Sequence, residues 1–356
     1  MTTVANDYGI SYIWSLNDKG QIVGQADKSY DSQALFYDGA KVVDLDPGRT
    51  ETRFARALSL NNEGVIVGDV YIDSGQGAYW HPMYYRNGVM TELFYDDNPL
   101  KIDARFTCVN NFGHAAGHGT GLPGTIVGQY GIFYKDGELT YLGNLGYPFV
   151  YVAGINNSDQ VVGDAHDASH DIHACIWQNG VMKDMGTPAG LLSSALAIND
   201  AGVAVGKMDS PYDDVTRVPF VYSEGRMIPV RERFGGKPDW FYGDCDVTGI
   251  NNLGVVVGNL GSYGLPFIWR GGKMMPLNDL IDQDEMGGPL TGAQKINDSG
   301  QILASGSFGN GIITPLPTTS GKGYLRALSI RAPAGRGDQT CITGLRARRA
   351  ASSEGR

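Results

Sequence analysis

Three of the six histidines fall in one stretch, Asp164-Ala-His166-Asp167-Ala-Ser-His170-Asp171-Ile-His173. Imidazoles and carboxylates at this density are the donor set of a zinc or iron site. Metal sites on ring-shaped repeat scaffolds collect histidines from several repeats, however, and here only His81, His114 and His118 lie elsewhere. The stretch therefore reads as a solvated polar loop, and no metal is expected. A second grouping is aromatic: Tyr79-Trp80-His81 and Pro238-Asp239-Trp240-Phe241-Tyr242 place large rings where the local pattern predicts loops. Together with Arg53, Arg105, Tyr151 and Asp246 at the starts of strands, they outline an apolar cup with polar atoms pointing inward. In such a cup His81, Arg105 and Asp246 are the candidate catalytic residues, as acid, hydrogen-bond donor or polarising group. Trp80, Tyr151, Trp240 and Tyr242 are the candidate substrate-binding residues. The competing reading folds the same rings into a satellite core. No catalytic-serine signature, phosphate loop or dinucleotide fingerprint occurs, and the glycine-rich Gly117–Gly124 does not open a helix, so no cofactor is expected.

The elements that must position these groups come from a seven-fold echo. SLNDKGQIVG from Ser15 returns as SLNNEGVIVG, CVNNFGHAAG, GINNSDQVVG, AINDAGVAVG, GINNLGVVVG and KINDSGQILA. The first Asn of each copy is Asn17, Asn61, Asn110, Asn156, Asn199, Asn251 and Asn297, at intervals of 43 to 52 residues. Each copy reads as strand, Asn-rich turn, strand, and in six copies the fourth turn position is Gly, with Asp159 the exception. A second hairpin follows, as in GIFYKDGELTYL from Gly131, with an aromatic at the end of one strand and Gly in the turn. Four short strands per unit cannot stand alone, and packing seven such sheets radially buries their faces. A β-solenoid has shorter rungs, and a closed sandwich does not need seven equal units. The predicted fold is all-β: a β-propeller of about seven four-stranded antiparallel blades, one domain over residues 1–330. Tyr324 to Ile330 is the candidate outer strand of the seventh blade, with Met1 to Ala5 as its rival. Residues 331–356 have the composition of a disordered basic tail.

Charge narrows the partners. Net charge is −10 overall, yet residues 318–356 carry eight Lys/Arg against two acids, so the body is strongly acidic. An acidic body argues against nucleic acid as partner. No apolar run reaches the length of a membrane span, and Met1 to Ser15 lacks the marks of a secretory signal, so membrane insertion is not expected and a cytoplasmic location is. The oligomeric state is not readable.

The phrase I-N-(D/N)-x-G-x-(V/I)-V-G, followed by an aromatic strand, x-x-G and M-x-x-L, resembles the HAF repeat family of mainly bacterial extracellular proteins, over residues 12 to about 316. That resemblance implies architecture rather than chemistry. In length, acidity, longer aromatic-rich loops and an opening stretch not expected to be an export signal, the chain is similar to fungal hetero-Diels–Alderases of tropolone-sesquiterpenoid clusters. This second resemblance implies a cofactor-free enzyme with hydrophobic small-molecule substrates. A tropolone precursor would lose water to a quinone methide, which would add across an alkene of a humulene-type terpene. Two other classes stay open: a non-enzymatic propeller binding a protein or glycan on its loop face, and a metal-dependent lyase or hydrolase.

Overall fold

The computed structural model describes residues 10–28, 31–46, 54–73, 78–93, 103–120, 128–188, 191–211, 217–230, 245–261, 264–281, 288–306, 309–315 and 328–331. Seven blades follow one another over residues 12–44, 54–92, 103–141, 146–184, 193–229, 245–276 and 290–331, each of four strands that pair antiparallel in chain order. The seventh takes its outer strand from Leu328–Arg331, which pairs with Gly309–Pro315. That strand overlaps the predicted Tyr324 to Ile330 and includes Arg331, which the sequence assigns to the tail. The rival Met1 to Ala5 and the tail beyond Arg331 lie outside the described residues. Among the described residues, no helix is long and apolar enough to cross a membrane.

The second strand of each blade is apolar on both faces, as in Ile66-Val67-Gly68 or Val161-Val162-Gly163, because a neighbouring blade covers each face. The core is accordingly divided into seven clusters, one between each pair of adjacent blades. The last of these packs Ile10, Ile13 and Ile22 against Leu303 and Ile312, joining the first blade to the seventh.

Polar bonds close the same ring. Each repeat Asn is buried, and its Nδ2 donates to the backbone oxygen of the corresponding Asn in the next blade, at 2.7–3.2 Å. The seventh of these bonds runs from Asn297 back to Asn17. A second circuit lies beside it. The backbone N–H of each following residue, starting at Asp18, donates to the side-chain oxygen of its counterpart one blade on, and Asp298 returns to Asp18 at 2.7 Å. The Asn Oδ1 meanwhile accepts backbone N–H groups within its own turn, for example those of Leu253 and Val255 on Asn251. The turn position that is Gly in six copies has positive φ in all seven. Asp159 takes φ +57°, held by bonds from Asn110 and Lys135 and by contact with His114.

Every inner strand is bulged at the residue three before the repeat Asn: Trp14, Leu58, Thr107, Ala153, Leu196, Thr248 and Gln294. A bulge bends its strand and sharpens the twist. Just beyond it, the inner strand leans so closely on the second that a Cβ on Gly68 would lie 1.8 Å from the Arg56 carbonyl oxygen. One on Gly163 would lie 1.8 Å from that of Tyr151. The Gly of the V-G dipeptide is therefore required by close approach rather than by its φ.

Candidate functional site

The bulge and the glycine beneath it fix a ring of residue pairs at the channel end opposite the Asn turns. In each of the first six blades, the residue after the repeat Gly or its equivalent faces the inner-strand residue leaning on it. The pairs are Tyr12 with Gln25, Arg56 with Asp69, Arg105 with His118, Tyr151 with Asp164, Ser194 with Lys207, and Asp246 with Asn259. From blade 2 onward the second-strand member also reaches the next blade. Asp69 lies 3.6 Å from Arg105, the His118 ring lies tilted against that of Tyr151 at 4.6 Å, and Lys207 Nζ donates to Asp246 Oδ1 at 2.6 Å. Asp164 accepts a hydrogen bond from the Ser194 side chain, and Asn259 bonds the backbone of Ala293. A continuous polar arc thus runs from blade 2 to blade 7.

One corner of it joins blades 2 and 3 through charged groups. Asp69 is completely buried, which pushes its carboxyl upward, and the guanidinium groups of Arg56 and Arg105 oppose that rise. Arg56 grips it with two parallel bonds, Nε to Oδ1 at 2.8 Å and Nη2 to Oδ2 at 2.5 Å. One carboxylate between two guanidiniums leaves a positive charge in excess. Trp80 lies beside both cations, 4.3 Å from the Arg56 Cζ and 5.8 Å from that of Arg105. It is fixed from behind by Tyr71, which packs on Phe54, and its backbone N–H donates to the Asp103 carboxylate at 2.7 Å. With its side chain 35% exposed, Arg105 is the more open of the two guanidiniums.

The next pairs are titratable. His118 is buried, its Nδ1 enclosed with no hydrogen-bond partner among the described residues; burial, with the Arg105 charge beside it, pulls the imidazole down to about 4. Burial lifts Asp164 to about 6 against the Ser194 bond and the Lys207 charge. Tyr151, 44% exposed, stands between these two groups.

Of the residues predicted from sequence, Trp80, Arg105 and Tyr151 come together along this arc. His81 follows Trp80 on the same strand, so its side chain points to the opposite sheet face, where it is buried. Asp246 stands in blade 6, bound to Lys207, apart from the Trp80 corner. Trp240, Tyr242 and Arg53 lie outside the described residues.

Two expectations need correction. Tyr79-Trp80-His81 is not on a loop but inside the strand Ala78–Arg86, because the second hairpin of blade 2 runs on in register as far as Asp73 and Ala78. The histidine-rich stretch is likewise mostly strand. His166 lies within Val161–Asp167 beside Phe149 and Tyr147, His173 in Ile172–Gln178 has its Nδ1 2.7 Å from Asp184, and only His170 sits in the turn. Among the described residues no three His, Cys, Asp or Glu side chains are grouped to hold a metal.

Sequence reasoning missed Arg56, Asp69, His118, Asp164, Ser194 and Lys207 as one constellation. A signal was there: aligned on the repeat Gly, the next position reads Gln25, Asp69, His118, Asp164, Lys207 and Asn259, polar every time in otherwise apolar strands.

No protein-family model matches the sequence, and no curated protein does. Solved structures match by shape. A puromycin-hydrolysing peptidase from Mycobacterium tuberculosis is 10% identical with a TM-score of 0.53, over 89% of this chain and 54% of that one. A prolyl endopeptidase structure is 12% identical with a TM-score of 0.51, over 74% of this chain and 41% of that one. The β-propeller domain of the Trilobed protease from Pyrococcus furiosus is 10% identical with a TM-score of 0.40, over 75% of this chain and 98% of that one. The chain spans about half the length of the two larger peptidases, and at these identities the likeness is one of fold alone: the protein is a β-propeller.

Proposed function

We propose that the rim arc binds a planar, oxygen-bearing conjugated molecule and that the protein is a cofactor-free hetero-Diels–Alderase. In this reading it assists dehydration of a tropolone precursor to a quinone methide and the addition of that intermediate to a humulene-type sesquiterpene. The observation that carries it is the Arg105 guanidinium, partly exposed beside the Trp80 ring with Tyr151 further along the arc. A cation held in place by Asp69 is preorganised to polarise a carbonyl oxygen, and the half-buried indole supplies apolar surface beside it for a conjugated ring. Holding two reactants in one pose supplies the rest; well-oriented pairs gain about 7–11 kcal/mol in favourable cases. The resemblance to the fungal enzymes supplies the reaction class.

The test is to incubate the protein with a hydroxymethyl tropolone and humulenol and to measure the rate and ratio of adducts. Acceleration over buffer that falls with Arg105→Gln and Trp80→Ala is expected; the rate and ratio found in buffer alone would overturn the reading. One observation favours a second function. Tyr12, Trp14, Phe149 and Tyr151 are all partly exposed on inner strands, as aromatic contacts to a protein or glycan would be. A propeller of that kind would leave the adduct ratio unchanged.

A further inference from the structure

His118 and Asp164 occupy the same position in adjacent blades; Tyr151 is the cross-strand partner of Asp164, and its ring lies against that of His118 at 4.6 Å. Their surroundings push them in opposite directions from their ordinary values. His118, with an enclosed Nδ1 and the Arg105 charge beside it, is kept neutral. Asp164 keeps its proton further up the pH scale than a solvated carboxyl does. The groups on the side of Asp164 are Tyr151, paired with it on the inner strand of its blade, and Ser194 and Lys207 from blade 5; Cys175, on the other face of the sheet, is near enough to feel its charge. Lys207 is the cation among them, and its ammonium is bound to Asp246. Two titratable groups driven apart in this way are the mark of an acid–base pair. Neither has a role in the polarising corner formed by Arg56, Asp69, Arg105 and Trp80.

We propose that Asp164 and His118 are the acid and the base of this site, placed on either side of Tyr151 to eliminate water from a ligand bearing a ring hydroxyl next to a hydroxymethyl group. The inference rests on the function proposed above and assigns its first step. The carbon–oxygen bond of the hydroxymethyl group breaks with its electron pair on oxygen, which takes the Asp164 proton and leaves as water. The ring O–H bond breaks, its proton passes to His118, and its electron pair becomes that of the new carbonyl. The product is a neutral quinone methide, and the carboxylate and imidazolium exchange protons with solvent to reset.

The experiment uses the full chain with an ortho-hydroxymethyl tropolone alone, in 18O-labelled water, with no alkene present. Elimination and re-addition of water then show as label in the hydroxymethyl group. The wild-type exchange should follow a bell, rising through about pH 4 and falling through about pH 6. Asp164→Asn should lose about 100-fold and the alkaline limb, and His118→Gln about as much and the acid limb. Asp164→Glu, which keeps the carboxyl, should recover part of the rate and the alkaline limb, and it carries the test if the Asn variant does not fold. No exchange by the wild type, or wild-type rates and an unchanged bell in both variants, overturns the pair. Adding humulenol separates the two claims. Exchange without adduct sinks the cycloaddition and leaves the pair; adduct formation indifferent to both variants sinks the pair and leaves the cycloaddition.

Discussion

The two mouths of the channel are built from the same repeat and are used differently. At the Asn mouth each copy contributes the same residue, and that side chain is spent on its own turn and on the next blade. At the rim each copy contributes the same backbone geometry, a bulge over a close-packed glycine in six of the seven, but a different pair of side chains. Identity is kept where seven equal bonds close a ring, and variety appears where the backbone alone sets the position. The Asn mouth is saturated with internal bonds. The rim holds a partly exposed guanidinium, a carboxyl that ionises late and an imidazole that stays neutral.

The sharpest way to break this contrast is to remove one Asn. Asn251 accepts from Leu253 and Val255 at 3.1 and 2.9 Å and donates to the Asn297 oxygen at 3.0 Å, all while buried. Asn251→Ala deletes three bonds and strands two of their partners, the Val255 N–H and the Asn297 oxygen, out of reach of water, each costing about 1–3 kcal/mol. A loss of about 3–5 kcal/mol in denaturant unfolding is expected. An unchanged midpoint would mean that the circuit does not hold the ring.

The rim should respond to pH instead. Asp164 ionises at about 6 in the fold and at 3.8 in an unfolded chain, so unfolding releases a proton between these values. Its burial therefore costs nothing below about pH 4, costs progressively more as pH rises, and reaches its full value, up to ~3 kcal/mol, above pH 6. Asp164→Asn should stabilise the protein at pH 8 and leave it unchanged at pH 3.5, read as melting temperature. Equal effects at both pH values would show that the carboxyl is not desolvated.

Much of this was legible in the sequence because the repeat makes its own alignment. The number of blades, four antiparallel strands to each and the positive φ of the fourth turn position all follow from periodicity and turn chemistry. The Asn side chain was legible only by half. Its bonds to residues two and four further on are local, but its bond to the next blade runs 43 to 52 residues along the chain and depends on how the blades lean together. The rim was harder still. Arg105, Trp80 and Tyr151 could be named one by one as polar or aromatic residues out of pattern. That Asp69 links Arg56 to Arg105 across two blades needs the bulge, and a bulge has no residue signature here: Trp14, Leu58, Thr107, Ala153 and Gln294 all occupy it.

A smaller effect tests the turn itself. Gly254 has φ +71° and open space around the site of a Cβ, so a substitution there meets backbone strain and no clash. Gly254→Val should cost about 1–3 kcal/mol. Gly254→Asp should cost less, since Asp159 already adopts φ +57° at the same position of its repeat.

The smallest expected change is the most informative about the rim. Asp246 is 58% exposed, and its bond to Lys207, short as it is, lies in solvent. Exposed pairs of this kind contribute about 0–1 kcal/mol. Asp246→Ala should therefore leave the unfolding midpoint within about 0.5 kcal/mol of wild type, in contrast to the Asn251 variant. Lys207 would then be free of its carboxylate, and its charge would bear more directly on Asp164, lowering the pH at which that group ionises. The alkaline limb of the water-exchange profile should move to lower pH by the same cause. A loss of stability above 1 kcal/mol would instead make the Lys207–Asp246 bond a joint between blades 5 and 6, and the rim at that point would be built like the Asn mouth rather than against it.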